Sequence, residues 1–428
     1  MLEGGERPAP QPGVIATLFA GLAALGFQPT RSWVQQSMGC PPACLLHQLS
    51  CCMADSLPQA KPAELAGWAH AAAQLGYVPS PPALQALLAW LSRQEEPARQ
   101  GSGAGAVPQL LLQRFSSCDL ARVVSSVCTF LRAAAAACRQ RRQPLPVAPE
   151  LITAFFDAVD DVLGMRLGLS GGVDPRALPE ALKLTPGHVG QMLEALSRVP
   201  CPGPLPLSAD TLDGLAAHCV MHQAGYDGHT LPFVLAFLAA ATNSPGAPEL
   251  PIELTTALAQ RTGALVAQEQ SLTLSALAII LRAAVSLRLP DRCLLGAIVR
   301  AVTAHLTRHT FFVAPPCKPR DVALLAAGTA QLVQDGQMLV DDLAPNDVSE
   351  FWQLLMRAAD AVVRHTPVHI PVFSTDEVAL LIGAADIAGP HMPLPPSVAC
   401  LLPPHPPEQF PTGRLAHPTI PHADLLLS

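Results

Sequence analysis

Apolar positions along the chain recur every three or four residues in stretches rich in Ala and Leu, a spacing typical of amphipathic helices. The stretches come in successive pairs joined by turns that contain proline. The predicted first helices span residues 14–27, 63–77, 119–140, 188–199, 230–243, 273–288, 320–335 and 375–388. The predicted second helices span residues 41–54, 82–93, 149–165, 209–223, 252–268, 291–308, 345–364 and 394–402. Because a lone pair cannot bury its apolar face, the pattern predicts an all-α, elongated α-solenoid of about eight antiparallel helix pairs.

Residues at the predicted helix ends agree with this fold. Thr185 before Pro186 is typical of a helix N-cap followed by proline in the first turn, and Pro149 has the same placement. Ser374 and Glu377 have the spacing of a capping box. No stretch shows the sustained alternation of β-branched residues that predicts a strand, so a sheet of any size is not expected.

The distribution of glycine and proline predicts the division of the chain. We expect an N-terminal extension over residues 1–12, the helical repeats over residues 13–402, and a Pro-rich extended tail over residues 403–428, either mobile or held by a partner. Gly- and Pro-rich interruptions of the repeats predict flexible insertions near residues 94–107, 166–178 and 309–319.

Charge is sparse but unevenly distributed. Of 428 residues, 14% are charged, and the net charge is −7. Two segments nevertheless each hold seven basic residues and one acid: residues 99–142 and 282–320. Nearly all of these bases are Arg, whose planar guanidinium suits phosphate contacts, although a GC-rich codon bias or simple solvation of outer helices also explains them. As phosphate-contacting candidates we select Arg132, Arg139, Arg141, Arg142, Arg292, Arg300 and Arg308.

Hydropathy predicts a soluble chain. The apolar run over residues 231–241 is too short to cross a bilayer, and the run over residues 272–289 is interrupted by Arg282 and Arg288. Residues 1–13 lack the apolar core of a secretory signal and the Arg- and Ser-rich character of an organellar transit peptide. We therefore expect no membrane partner, and a presequence, if there is one, is not visible in this chain.

Catalytic signatures are not found, so we expect a protein that is not an enzyme, has no small-molecule substrate and binds no cofactor. The phosphate-binding loop, the dinucleotide-binding glycines, the nucleophile elbow and the HExxH motif are missing. Two groups of polar residues have a chemical alternative. His218 and His222, beside Cys219, have the spacing of a two-histidine metal ligand, and Asp157, Asp160 and Asp161 form an acidic corner. Packed or solvated side chains are the simpler interpretation of both groups.

Twelve cysteines are best interpreted as buried thiols of a reducing compartment. Cys40, Cys44, His47 and Cys51 lie on one helical face, but they extend over about 16 Å along the axis, too far for a shared zinc ion. The ten-residue steps between the cysteines at 118, 128 and 138 are interpreted as coincidence. We predict no metal.

A short motif closes the first helix of the first two pairs. Residues 25–29 read LGFQP and residues 75–79 read LGYVP, each after an Ala-rich helix and before a segment that contains tryptophan, Trp33 or Trp90. Over residues 14–93 the chain resembles the octotricopeptide repeat proteins of green-algal organelles, whose helix pairs share a comparable Leu-Gly-x-x-Pro junction.

That resemblance implies work on organellar RNA: transcript stabilisation, processing, translation activation, or residence in an expanded organellar ribosome. We therefore predict a non-catalytic RNA-associated protein, most plausibly a structural component of a mitochondrial (or chloroplast) ribosome or an RNA maturation or translation factor, with the mitochondrion preferred. The expected partners are rRNA or an organellar transcript together with ribosomal or other ribonucleoprotein proteins. The alternative is a protein-binding scaffold of armadillo or HEAT type that does not contact RNA.

Overall fold

The structure is a computed structural model, and the described residues are almost all helical. They are residues 10–27, 45–95, 109–141, 143–169, 177–199, 207–242, 250–268, 272–289, 292–308, 317–334, 345–366, 372–388 and 395–400. The all-α prediction is confirmed for this part of the chain. The predicted tail, residues 403–428, lies outside it, as do most residues of the three predicted insertions.

Two compact units divide the chain, Met1–Leu215 and Ala216–Ser428. The helices that begin in the first unit are α1 Pro12–Ala24, α2 Leu45–Asp55, α3 Pro62–Gln74, α4 Pro81–Leu91, α5 Ser117–Arg141, α6 Pro149–Arg166, α7 Pro186–Leu196 and α8 Ala209–Met221, with the unit boundary inside α8. The helices of the second unit are α9 Leu231–Thr242, α10 Ile252–Ala267, α11 Leu274–Ser286, α12 Arg292–Arg308, α13 Pro319–Gln334, α14 Pro345–His365, α15 Thr375–Ala388 and α16 Pro396–Ala399. Short 3-10 turns lie at Leu57–Gln59, Leu111–Arg114, Glu180–Leu182 and Gln223–Gly225.

Within each unit, a helix packs against the helix two positions further along the chain. In the first unit α1, α3, α5 and α7 contact one another in that order, and α2, α4 and α6 do the same. In the second unit one such series is α9, α11, α13 and α15, and the other is α10, α12, α14 and α16. Each unit therefore holds two layers, which we call the first-helix layer (odd numbers) and the second-helix layer (even numbers).

A cluster of aromatic rings fills the first-helix layer of the first unit. Trp68 on α3 lies with its ring centroid 6.2 Å from that of Phe19 on α1 and 6.5 Å from that of Phe130 on α5. The ring of Tyr77, which follows α3, packs edge-on against Phe19 at 5.9 Å. Three consecutive first helices are thus joined through one tryptophan.

Helix ends follow the sequence signals closely. The Thr185 hydroxyl accepts the His188 backbone N–H at 3.3 Å, with Pro186 at the first helical position. At α15 the Ser374 hydroxyl accepts from the Glu377 N–H, and the Glu377 carboxylate accepts from the Ser374 N–H at 2.7 Å. The predicted N-cap and capping box are therefore confirmed.

The LG motifs end their helices in left-handed turns. Gly26 and Gly76 have φ of 66° and 65°. In the second motif the Tyr77 N–H donates to Ala72 O at 2.9 Å and the Gly76 N–H to Ala73 O at 3.0 Å, the two bonds of a Schellman motif. The glycine is required by its backbone conformation, since a Cβ on Gly76 would meet nothing within 4 Å.

The same turn occurs without glycine at the end of α11. Arg288 has φ of 49°, its N–H donates to Val285 O at 3.1 Å, and the Leu289 N–H donates to Ala284 O at 3.1 Å. Among the described residues it is the one position other than glycine with a positive φ. An L side chain is strained in this region, so the fold holds this turn against a local cost.

One small β element falls in the predicted first insertion. Gln94–Glu95 pairs antiparallel with Gln109–Leu110, bracketing residues 96–108, which lie outside the described part of the chain. A two-residue pairing is too short to leave an alternating pattern in the sequence.

Helix α5 is the one described helix long and apolar enough to cross a bilayer, over Ser117–Cys138. In the fold 56% of that window is buried.

Candidate functional site

The four arginines chosen from the first basic segment lie at the C-terminal half of α5. Arg132 is half-buried and Arg141, the last residue of the helix, is exposed. Arg139 lies on the helix, but its side chain is outside the described residues, as is all of Arg142. The structure therefore places two of the four side chains, and it does not bring them together at one described point.

The three arginines chosen from the second segment lie on α12. Arg300 is exposed in the middle of the helix and Arg308 is exposed at its last residue. Arg292 is the first residue of α12, and its side chain is outside the described part of the chain. Successive steps of eight residues rotate by about 80° around a helix, so the set winds around α12.

A cluster that sequence reasoning did not select lies nearer the start of α5. Arg122 is in the second turn of α5, with 45% of its side chain exposed. One turn further, the Ser125 hydroxyl donates to the Gln191 carbonyl of α7 at 3.4 Å. His188 lies one turn before Gln191 in α7. Arg122 and His188 therefore occupy matching levels of two packed helices.

His188 is held by its own helix cap. Its Nδ1 lies 3.4 Å from the Thr185 backbone N–H and accepts from it. The neutral ring then carries its proton on Nε2, which stays available as a donor. Burial lowers the pKa of His188, and the positive charges of Arg166 and Arg122 lower it further.

His70 is on α3, the other helix of the layer that packs against α5. The Gln74 side-chain amide donates to His70 Nε2 at 3.0 Å, so the neutral ring carries its proton on Nδ1. Burial lowers the pKa of His70, and the charge of Arg122 lowers it further. Arg122 thus acts electrostatically on imidazoles from both neighbouring helices of the layer.

Arg166, the last residue of α6, supplies a buried charge that acts on His188. It is 2% exposed and donates to the Ser117 hydroxyl at 3.0 Å and to the Phe115 carbonyl at 2.5 Å. Its Nε has no hydrogen-bond partner, and no described carboxylate perturbs its pKa. Burial lowers the pKa of Arg166 to about 10, still high enough for the charge to persist at neutral pH.

One acid moderates the cluster. Asp119 lies 3.8 Å from Arg122 and also accepts the Ser116 hydroxyl at 2.8 Å. Its N–H donates back to the Ser116 hydroxyl at 3.1 Å, which makes Asp119 part of the cap of α5. Asp119 is thus the described carboxylate paired with Arg122, whereas the described partners of Arg166 are neutral. We call Arg122, His70 and His188, together with the buried Arg166 of α6, the α3–α5–α7 cluster.

A second buried arginine lies in the first-helix layer of the other unit. Arg282 on α11 donates to the Gln331 side-chain carbonyl on α13 at 2.5 Å, and burial lowers its pKa. Within the described residues no carboxylate pairs with it. Both units thus carry an arginine whose charge is compensated by neutral acceptors.

The histidine pair at the end of α8 has His218 on the helix, against a tyrosine, and His222 just after it. His218 Nδ1 lies 2.9 Å from the Tyr226 hydroxyl, and its ring centroid is 4.5 Å from that of His222. Cys219 donates to the same hydroxyl at 3.5 Å, and burial raises its pKa to about 11. These contacts anchor the turn after α8.

The remaining candidates form no site among the described residues. No group of three or more His, Cys, Asp or Glu there is arranged to hold a metal ion. Cys51 Sγ lies 3.7 Å from His47 Nε2, whereas Cys40 and Cys44 are outside the described part of the chain. In the acidic corner, burial raises the pKa of Asp161, while Asp160 accepts the Ser208 N–H at 3.0 Å and so fixes the start of α8.

Comparisons of the sequence with models of known protein families and with curated proteins find no match.

The α3–α5–α7 cluster could not have been selected from the sequence. Arg122 lies in the first basic segment, but its two histidines are about fifty and sixty-six residues away along the chain and come from other helices. The Thr185 cap is the one sequence signal that fixes His188, and it gives no information on Arg122.

Proposed function

We propose that the protein is a non-catalytic, RNA-associated helical-repeat protein of an organelle, built as an α-solenoid of about eight helix pairs of the octotricopeptide type. Its place is in a mitochondrion, or else a chloroplast, as a structural component of the ribosome or as a factor in RNA maturation or translation. Its partners are rRNA or a transcript and the proteins of the same particle.

The α3–α5–α7 cluster is the observation that supports an RNA partner best. The half-exposed Arg122 acts electrostatically on an imidazole of each neighbouring helix of its layer, and Arg166, which acts on one of these imidazoles, is buried with no described carboxylate perturbing its pKa. Burying an unpaired positive charge costs several kcal/mol, so such a charge is expected where a negative ligand offsets it. The planar fork of a guanidinium matches the oxygens of a phosphate group and can bind it with two parallel hydrogen bonds.

The packing of each helix against the helix two positions on supports the repeat architecture. In such an array a pair cannot bury its apolar face alone, so successive pairs stack into a row. An extended row of sites suits an extended ligand such as a single strand of RNA.

The net charge of −7 favours a particle subunit over a free RNA-binding factor. Nonspecific affinity for RNA grows with the number of phosphates neutralised, and an acidic chain repels the backbone outside its basic surfaces. A subunit that touches both RNA and protein depends less on that affinity.

The test is recovery of the tagged full chain from organelle lysate on a sucrose gradient. We expect co-sedimentation with ribosomal or other ribonucleoprotein particles that RNase treatment abolishes. Recovery with one discrete protein that survives RNase would instead support the armadillo- or HEAT-type scaffold and overturn the RNA proposal. The wild-type chain is compared with Arg122→Gln, a variant that removes the exposed charge of the α3–α5–α7 cluster and changes no other side chain.

A further inference from the structure

We propose that His218 and His222, at the C-terminal end of α8, bind a divalent transition-metal ion of the Ni²⁺ or Cu²⁺ type. Each imidazole supplies one nitrogen, and water fills the remaining positions of the ion. Two histidines four residues apart lie one helical turn apart on the same face, a spacing at which two imidazoles can share one ion. The inference goes beyond the proposed function and does not depend on any contact with RNA.

Helical geometry continues through both histidines, although α8 ends at Met221. The His222 backbone N–H donates to the His218 carbonyl at 2.9 Å, which is the hydrogen bond of a regular α-helical turn. The fold therefore keeps the relation between the two residues that the sequence spacing predicts. His222 is exposed and His218 is half-buried, so both residues are accessible to an ion in solution.

The separation of the two rings fits a shared ion. Their centroids lie 4.5 Å apart, and the ring planes are tilted by 42°, so the imidazoles do not stack face to face. An ion bound about 2.0 Å from an imidazole nitrogen lies about 3.2 Å from the centre of that ring. Two rings bound at about 90° then have centres about 4.5 Å apart, whereas the tetrahedral angle of Zn²⁺ separates them by about 5.2 Å. The observed separation matches the tetragonal geometry of Ni²⁺ and Cu²⁺.

Tyr226 determines which nitrogen of His218 meets the ion. Its hydroxyl lies 2.9 Å from Nδ1, and its ring packs edge-on against the imidazole with centroids 6.2 Å apart. Because Nδ1 is engaged by Tyr226, Nε2 is the metal ligand, and Nδ1 carries the ring hydrogen and donates it to the tyrosine oxygen. Histidines that bind metal ions almost always donate their other N–H to a polar partner, which fixes the ring. Cys219 is 3% exposed and its thiol contacts the same hydroxyl at 3.5 Å, so it is not placed to bind the ion.

The turn that carries Tyr226 is tied to α10. The Gln223 side-chain amide donates to the Ala257 carbonyl at 2.6 Å, and the Arg261 Nε donates to the Tyr226 carbonyl at 2.6 Å. The tyrosine itself is 1% exposed. These contacts hold its hydroxyl beside His218 before an ion binds, so little conformational entropy is lost on binding. Tyr226 is a positioning residue in this account.

The test is calorimetric titration of the full chain with NiCl₂ at neutral pH. Ni²⁺ is the probe because, unlike Cu²⁺, it does not oxidise cysteine thiols. His222→Gln is expected to weaken Ni²⁺ binding at least tenfold, since the ion loses one of its two protein ligands. Tyr226→Phe keeps both ligands and is expected to weaken binding about tenfold, the lower end of the cost of removing the hydrogen-bond partner of a metal-bound histidine.

His229→Gln is the matched control. His229 is exposed like His222 and lies seven residues further along the chain, and its described ring contact is with Phe233, at a centroid distance of 5.5 Å. This variant is expected to bind Ni²⁺ as tightly as the wild type. Thermal unfolding without metal checks the fold of every variant.

A second readout tests the role of Tyr226 apart from its part in the fold. The ¹⁵N shifts of the His218 imidazole report its tautomer, and they are expected to change in Tyr226→Phe and to stay the same in His229→Gln. A loss of affinity without that change would overturn the positioning role. The metal site is wrong if the wild-type chain binds no Ni²⁺, or if a folded His222→Gln chain binds it as tightly as the wild type. Equal losses in His222→Gln and His229→Gln would show nonspecific binding to histidines and overturn the site as well.

Discussion

The positive φ angle of Arg288 lowers the stability of the folded chain. We expect Arg288→Gly to raise the free energy of unfolding by about 0.5–1 kcal/mol, because glycine adopts the left-handed conformation without strain. The greater conformational entropy of glycine in the unfolded chain offsets only part of this gain. The Arg288 side chain is exposed, so its removal sacrifices little packing. Urea unfolding at neutral pH measures the change.

The control for that substitution is Arg288→Ala, which removes the side chain but retains a Cβ. It should show no gain, and a gain equal to that of glycine would mean that the side chain and not the backbone carries the cost. At the corresponding glycine, Gly76→Ala is expected to lower the free energy of unfolding by about 1 kcal/mol, because a Cβ there meets no neighbour and the cost is conformational alone.

The two histidines of the α3–α5–α7 cluster predict how stability responds to acid. Because their folded-state pKa values are lowered, the unfolded chain binds more protons as the pH falls through the ordinary histidine value. Their contribution is fully present above about pH 6.5 and is lost as the pH falls toward their folded-state pKa values.

We therefore expect the chain with His70→Gln and His188→Gln to lose less stability than the wild type between pH 7 and pH 5. The difference between the two unfolding curves cancels the carboxylates, of which Asp161 has the opposite sign because burial and its acidic neighbours raise its pKa. Parallel stability losses in the two chains would contradict the assignment.

At the scale of elements, most of the helical pattern was readable from the sequence. The predicted helix over residues 375–388 has the bounds of α15, and the one predicted over residues 252–268 differs from α10 by one residue. Periodicity, N-caps and prolines are local signals, so they locate helices well. The last predicted helix, over residues 394–402, is observed as the single turn of α16, Pro396–Ala399.

What the sequence could not provide is which side chains meet. The seven candidate arginines were selected from the distribution of basic residues along the sequence. None of them belongs to the cluster that the structure forms. The glycine and proline pattern predicts Arg166 at the edge of a loop, whereas it is a buried side chain that ties α6 to the start of α5. Such contacts depend on the registration of neighbouring helices, which no local pattern encodes.

Comparing substitutions of Trp68 and Trp90 separates the contribution of close packing to stability from that of apolar character alone. Trp68→Ala is expected to cost about 3–5 kcal/mol, because the 1% exposed ring joins α1, α3 and α5. Trp90→Ala, at a half-exposed position, is expected to cost markedly less. Chemical denaturation of both variants measures the two effects. Equal costs would show that the aromatic cluster does not couple the helices of the layer.

For the whole molecule, the arginines at the end of α5 remain predicted phosphate ligands. Changing Arg132, Arg139, Arg141 and Arg142 together to Gln is expected to reduce the log–log salt slope of RNA binding by about 0.7 for each phosphate that the variant no longer neutralises. Arg357→Gln with Arg364→Gln, two exposed positions on α14, is the control. A folded quadruple variant with an unchanged slope would leave these arginines as solvated surface.

The two-layer packing has a kinetic meaning. Since each helix finds its partners one or two helices away, the contacts of a unit close short stretches of chain, and domains of this kind fold quickly. Protection against amide hydrogen exchange should then be graded along a layer. The amides of α3 and α5, with layer neighbours on both sides, are expected to exchange last, and those of α1, which packs within its layer against α3, are expected to exchange first. Unfolding would begin by peeling a helix from the end of a row, leaving the interior of the row intact.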